Sequence, residues 1–219
     1  MDKVINLGIP HVGELIFESI DTPGLIKCLE VSETWKVLAK NVLIKRWKGK
    51  MLEACENGET KIVELLLERC NFEESGLNTK EEDGGTALMW ACFNGHKDVV
   101  KLLLDHSERI DLNARNNRGL TALMCACQNG HKDVVQLLLD HSERIELNTI
   151  DDRRNTAIML ACLNGHKDVV KLLLDQSGFN LNIELNLNNE FVTTQGLAAL
   201  SVACQNGHKE VVQLLLDQP

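Results

Sequence analysis

Between Thr86 and Asp105 the chain reads TALMWACFNGHKDVVKLLLD, and the order of its apolar and polar positions predicts a pair of helices. Ala87, Leu88 and Ala91 fall on one face of a first helix about two turns long, with the hydroxyl of Thr86 as its N-cap. Gly95 ends that helix, because glycine takes the left-handed conformation without a steric penalty. In the second helix Asp98 occupies the first turn, where the helix dipole favours an anion. Val99, Val100, Leu102, Leu103 and Leu104 then form an apolar stripe too wide for one neighbour to cover. Isolated helices are marginal even at about 12–15 residues, so neither member of the pair persists unless it stacks on others of its kind.

The pattern recurs as TALMCACQNGHKDVVQLLLD from Thr121, TAIMLACLNGHKDVVKLLLD from Thr156 and AALSVACQNGHKEVVQLLLD from Ala198, with a more divergent copy, MLEACENGETKIVELLLE, from Met51. Gly58, Gly95, Gly130, Gly165 and Gly207 stand 37, 35, 35 and 42 residues apart. Periods of this length denote stacked supersecondary units. Cys55, Cys92, Cys127, Cys162 and Cys204 each follow an alanine and precede one of these glycines by three residues. These cysteines therefore belong to the repeat rather than to a disulfide framework or a metal site.

On its Gly-His, Val-Val and Leu-Leu-Leu positions the chain resembles ankyrin repeats, with five copies over residues 50–219. The family's Thr-Pro-Leu-His appears as Thr-Ala-Leu-Met twice, then as Thr-Ala-Ile-Met and Ala-Ala-Leu-Ser, which puts the usual threonine–histidine hydrogen bond in doubt. The turn glycine is read at Gly84, Gly119 and Gly196 but is Arg154 in the fourth copy, where a left-handed backbone would cost energy and the hairpin tip is expected to be reshaped. The connection from Asp105 to Thr121 is two residues longer than the family's, and the stretch from Asn180 to Thr194 carries a seven-residue, Asn-rich surplus. With no polar capping repeat after Leu214, Leu215 and Leu216, the last repeat is expected to fray or to continue beyond Pro219.

The resemblance implies a concave binding surface, with partner contacts at the hairpin tips and at the two residues before each helix-ending glycine. At the tips these are Arg115, Asn117 and Arg118, then Asp152, Arg153 and Arg154. Before the glycines they are Phe93-Asn94, Gln128-Asn129, Leu163-Asn164 and Gln205-Asn206. Phe93 and Leu163 are apolar among polar neighbours, and with Trp90 nearby they are candidate anchors, since interface energy concentrates in a few desolvated aromatic, aliphatic and arginine residues. Ordinary partial burial is the alternative reading.

Charge narrows the partners. Across 219 residues, 23 basic and 32 acidic side chains give a net charge of −9, without the Lys/Arg cluster that phosphate neutralisation requires, which disfavours nucleic acid. The first 48 residues hold seven basic and six acidic residues, so the negative charge lies in the repeats, and the shift near Gly49 marks a boundary between residues 1–48 and 49–219. No apolar run approaches the roughly 18–20 residues that span a bilayer, and the start Met1-Asp2-Lys3 leads into no signal-peptide core. The expectation is a soluble, cytoplasmic or nuclear protein whose thiols sit in a reducing compartment as small buried hydrophobes.

The leading segment from Ile9 to Trp47 predicts three short helices, separated by Pro10, by Asp21-Thr22-Pro23-Gly24 and by Ser32. Forty-eight residues cannot bury all of its apolar side chains internally, which leaves surface for a partner. This segment resembles an F-box. Ile9-Pro10 stands for the opening Leu-Pro, Leu15-Ile16 through Ile20 for the first helix, Leu25 for the second, and Val31-Ser32 with Trp35 for the third. The resemblance implies docking of an Skp-type adaptor of a cullin-RING ubiquitin ligase. A simple capping module for the repeats is the alternative reading.

No catalytic, cofactor or metal site is expected. His96, His131, His166 and His208 recur one repeat apart, about 8–10 Å, whereas zinc ligands must all lie within about 2.0–2.3 Å of one ion. Cys125 and Cys127, two apart on a helix, point to different faces. Asp105-His106-Ser107 and Asp140-His141-Ser142 spell a triad's letters, but a triad is assembled from distant segments and these recur with the repeat. The expected fold is all-α, an ankyrin-repeat solenoid preceded by a small three-helix F-box-like domain. The expected function is a non-catalytic substrate receptor of an SCF-type ubiquitin ligase, holding an Skp-type adaptor and a protein substrate; an ankyrin scaffold with no ligase role is the alternative.

Overall fold

The computed structural model describes residues 51–69, 77–176, 184–187 and 191–217, together with Gly24. The F-box-like positions Ile9, Pro10, Leu15, Ile16, Ile20, Leu25, Val31 and Trp35 lie outside the described residues. Contacts divide the chain into two compact units, Met1–Met51 with Leu65–Gly76 and Leu52–Glu64 with Leu77–Pro219. In the first, Met51 and Leu66 are buried.

Helices come in pairs: α1 (Met51–Glu56) and α2 (Thr60–Arg69), α3 (Ala87–Phe93) and α4 (Lys97–Asp105), α5 (Ala122–Asn129) and α6 (Lys132–Leu139), α7 (Ala157–Leu163) and α8 (Lys167–Leu174), α9 (Gln195–Gln205) and α10 (Lys209–Leu216). Within the second unit α3, α5, α7 and α9 pack side by side as one layer, and α4, α6, α8 and α10 as another. Ala91-Cys92, Ala126-Cys127 and Ala161-Cys162 are wholly enclosed. Their small side chains let successive helices approach closely, which explains why the cysteines track the repeat. Thr86 and Thr121 cap their helices as expected, accepting from Met89 N at 3.4 Å and Met124 N at 3.3 Å. Met89, Met124 and Met159, which replace the family's histidine, are buried, so apolar packing takes the place of a polar pair.

Two polar ladders cross the repeats. In the first, His96, His131, His166 and His208 donate from Nε2 to the carbonyls of Glu56, Phe93, Gln128 and Leu163 in the preceding repeat, over 2.7–3.0 Å. Each ring lies across the preceding left-handed glycine. A Cβ built on Gly95 would sit 2.5 Å from His131 Nδ1, and one on Gly130 would collide with His166. Glycine is therefore required twice over, for its φ of +74° and for the ring above it. Nothing lies within 4 Å of such a Cβ at Gly207.

The second ladder was not foreseen from the sequence. The amide of Asn78 donates to Arg109 O at 2.9 Å and its oxygen accepts from Asp111 N at 3.1 Å; Asn113 bonds Arg144 O and Glu146 N in the same way, each at 2.9 Å. The partners of Asn113 come from the stretch after Asp140, and those of Asn78 from the longer connection after Asp105. It winds through a single 3-10 turn, Ser107–Arg109, and then buries Ile110, Leu112 and Ala114.

Three expectations change. The tip at Arg154 is not reshaped: Arg154 takes φ 65°, with Arg154 N donating to Asp151 O at 3.0 Å, as Gly84 N does to Glu81 O and Gly119 N to Asn116 O at 2.9 Å. The backbone bonds of the turn outweigh the steric cost of an L side chain there, about 1–2 kcal/mol. Gly196 is not a turn glycine but lies in α9. The copy from Ala198 lacks the capping threonine, so the helix begins a turn earlier, at Thr194, whose hydroxyl accepts from Leu197 N at 3.3 Å. Cys204 is exposed rather than buried, because no further helix among the described residues covers α9. The Asn-rich surplus contributes the strand pairing seen among the described residues: β1 (Glu184–Leu187) runs antiparallel to β2 (Phe191–Thr194), with Glu184 opposite Thr194 and Leu187 opposite Phe191.

Candidate functional site

Loop tips are joined directly to one another. Asn117 N donates to Asp83 O at 2.8 Å and Asp152 N to Arg118 O at 3.1 Å, so the turns of three repeats form one continuous edge. Asn117 reinforces this through Nδ2 to Glu82 O at 2.8 Å, and Lys80 Nζ reaches Arg115 O at 3.0 Å. Of the predicted tip residues, Arg115 is engaged in the same edge: Nη2 donates to Ile150 O at 2.6 Å and lies 3.9 Å from Asp152 Oδ1. Arg118 and Arg153 are exposed, and their guanidinium groups make no ion pair among the described residues. Arg154 is half-buried.

At the helix ends the predicted residues separate by exposure. Phe93 and Leu163 are 39% and 40% exposed, high for side chains of that size. Gln128, between them, is half-buried, and Gln205 is exposed, bonding Ser201 Oγ at 3.4 Å. Asn94 reaches across to Glu56 O at 3.1 Å, whereas Asn129 and Asn164 turn back onto their own helices. Trp90 meets Phe93 edge to face, with ring centroids 5.9 Å apart.

These rings flank a cleft of about 370 Å³ between the second and third repeats. Met89, Leu120 and Cys125 line it with Trp90 and Phe93, and Asp83 and Arg118 supply the charge. The indole Nε1 of Trp90 is buried without a hydrogen-bond acceptor among the described residues. Burial pushes the Cys125 thiol up to about 12, with Arg118 and Asp83 pulling in opposite directions. Burial likewise raises Cys55 and Cys162 to about 12, and Cys92 and Cys127 further, so these five thiols are protonated and inert near neutrality.

The triad-like letters are accounted for by helix ends. His106 Nδ1 donates to Leu102 O and His141 Nδ1 to Leu137 O, each at 3.0 Å, and Asp140 accepts from Gln136 Nε2 at 2.8 Å. These imidazoles satisfy terminal helix carbonyls. Among the described residues no three His, Cys, Asp or Glu side chains gather as a metal site, and no helix is long and apolar enough to cross a membrane.

Comparison with known families agrees with these paired helices: a model described as ankyrin repeats in three copies fits residues 51–151 and 143–219. The chain belongs to the ankyrin-repeat family. Shorter stretches resemble individual proteins. Osteoclast-stimulating factor 1 of Monopterus albus is 51% identical over 39 residues, 18% of this chain and 18% of that protein. Its counterpart in Danio rerio is 47% identical over 38 residues, 17% of this chain and 18% of that protein. An ankyrin repeat protein of Acanthamoeba polyphaga mimivirus is 39% identical over 57 residues, 26% of this chain and 43% of that protein. The matches thus span less than a fifth of the fish proteins and less than half of the viral one. Ankyrin repeats imply binding to protein partners, since a stacked array presents one long surface built from equivalent positions.

Proposed function

We propose that this chain is a non-catalytic adaptor that holds a protein partner on its loop-tip face, with Phe93 and Leu163 as apolar anchors. One observation carries the reading: two large apolar side chains, each about two-fifths exposed, occupy equivalent positions in two repeats, at the ends of their first helices. Exposed aromatic and aliphatic groups of this kind, with arginines around them, are what interfaces concentrate their energy in.

The finer form of the proposal is a substrate receptor of an SCF-type cullin-RING ubiquitin ligase. The support is the F-box-like order of Pro10, Pro23-Gly24, Val31-Ser32 and Trp35 ahead of the repeats. On this reading Leu15 and Ile16 meet an Skp-type adaptor while the repeats hold the substrate. The test is co-purification of the full chain with a purified Skp-type adaptor, beside L15E/I16E and F93A/L163A variants. The ligase reading expects a complex that the first pair of changes abolishes and the second leaves intact. No complex, or one indifferent to L15E/I16E, leaves the scaffold function without the ligase connection.

A further inference from the structure

We infer that the Asn206-Gly207 pair is the site at which this chain deamidates, converting the amide at the end of α9 to a carboxylate. Asn-Gly pairs stand at all five helix-ending turns, beginning at Asn57, Asn94, Asn129, Asn164 and Asn206. Glycine leaves the backbone nitrogen after each asparagine without a side chain to shield it, so that nitrogen can close on the amide carbon. In the reaction Gly207 N forms a bond to Asn206 Cγ, the Cγ–Nδ2 bond breaks, and ammonia leaves with the proton from the glycine nitrogen. Water then opens the cyclic imide at one of its two carbonyls, leaving aspartate or isoaspartate, whose backbone runs through the side-chain carbon.

Three of the pairs form a matched comparison. Asn129, Asn164 and Asn206 each donate from Nδ2 to a carbonyl of their own helix, Cys125 O, Leu160 O and Val202 O, over 2.9–3.0 Å. The glycine nitrogens that follow donate to Cys127 O, Cys162 O and Cys204 O at 3.4, 3.3 and 3.1 Å, with φ of 74°, 74° and 72°. What lies above them differs. The His166 ring covers Gly130 and the His208 ring Gly165, as His96 and His131 cover Gly58 and Gly95, whereas nothing among the described residues comes within 4 Å of a Cβ at Gly207. Asn206 and Gly207 are both exposed, and so is Cys204, whose counterparts Cys92, Cys127 and Cys162 are wholly enclosed. Ring closure requires the hydrogen bonds of the turn to open, and a turn opens most readily where no packed neighbour must move with it. The product carboxylate cannot donate to Val202 O and sits at the negative end of the α9 dipole, so conversion loosens the joint between α9 and α10.

The experiment is ageing of the purified full chain in mildly alkaline buffer, with the Asn-Gly pairs followed by peptide mapping and mass spectrometry, beside an H166A variant. The expected result is conversion at Asn206 about fivefold or more faster than at Asn129 or Asn164, the factor that loss of one covering hydrogen bond adds to the open population. In H166A, which uncovers Gly130, conversion at Asn129 should rise by a similar factor while Asn57 and Asn94 keep their rates. Equal rates at all pairs, or the fastest conversion at a covered pair, would overturn the inference. So would an H166A chain in which Asn129 gains nothing or all pairs rise together, because protection would then not come from the ring. N206D should exchange the amide hydrogens of α10 faster than wild type, and unchanged exchange would overturn the loosening of the joint.

Discussion

Replacing Gly130 by alanine should destabilise the protein by about 3–5 kcal/mol, and the same change at Gly207 by only about 1–2 kcal/mol. Both glycines are left-handed, with φ of 74° and 72°, so both substitutions incur the strain of an L residue there, about 1–2 kcal/mol. They differ in what lies above them. A Cβ at Gly130 runs into the His166 ring, whereas one at Gly207 meets nothing within 4 Å. The ring must move, which forfeits its 3.0 Å bond to Gln128 O, about 1 kcal/mol, and disturbs a packed junction, about 1–2 kcal/mol more. Urea denaturation followed by circular dichroism measures both variants, and His166→Ala in each background completes a double-mutant cycle. The cycle should show coupling of at least about 1 kcal/mol at Gly130 and none at Gly207. Equal destabilisation of the two variants, or no coupling at Gly130, would refute the role assigned to the histidine ladder.

Further expectations concern the thiols, the odd tip and the asparagine ladder. Folded-state values near 12 for Cys55, Cys125 and Cys162, against about 9 unfolded, leave stability unaffected below pH 9. Above that, the unfolded chain releases protons that the folded one retains, and stability falls by about 1.4 kcal/mol per thiol per pH unit until the folded thiols themselves ionise; a urea midpoint that stays flat from pH 8 to 10 would contradict this. Among the six described cysteines, iodoacetamide at pH 8 followed by peptide mapping should modify Cys204 first, and early modification of Cys92 or Cys127 would show that the core is not closed. Arg154→Gly should raise stability by about 0.5–1 kcal/mol, as relief of left-handed strain exceeds the added chain entropy, whereas a loss would mean that the arginine side chain itself supports the tip. Asn113→Ala should cost about 1–2 kcal/mol, since one amide makes two bonds across a repeat junction, and a change below 0.5 kcal/mol on the same urea curve would make that ladder incidental.

Periodic features were legible from sequence because periodicity is what stacking imposes. The Gly-His dipeptides, the apolar Val-Val and Leu-Leu-Leu stripes and the small Ala-Cys pairs each reflect a contact repeated between neighbours, and Thr86 announced its cap through an ordinary hydroxyl position. Features that depend on a single copy were misread. Gly196 looked like a turn glycine by alignment, but the loss of threonine at position 198 moved the cap to Thr194 and drew the glycine into the helix. Arg154 gave the opposite error: a residue ill-suited to a left-handed turn is held there by backbone bonds shared with its neighbours. The asparagine ladder escaped notice because Asn in a loop has many local uses, and only the arrangement of neighbouring repeats shows that Asn78 and Asn113 bond across a junction. Among the candidate binding residues, Phe93 and Leu163 are about two-fifths exposed, a degree of display that their apolar character alone did not decide against ordinary partial burial, while Arg115 is drawn into the edge by a carbonyl that no sequence pattern reveals.

The central claim is that the loop-tip face, and not the outer helices, meets a protein partner. Genetic incorporation of the photo-crosslinker benzoylphenylalanine at Phe93, on that face, and at Lys101, exposed on α4, tests it inside cells that express the full chain. The account predicts covalent adducts to one or a few discrete proteins from position 93, lost when Arg118 is also replaced, and only background from position 101. Adducts from position 101 with none from position 93 would contradict it.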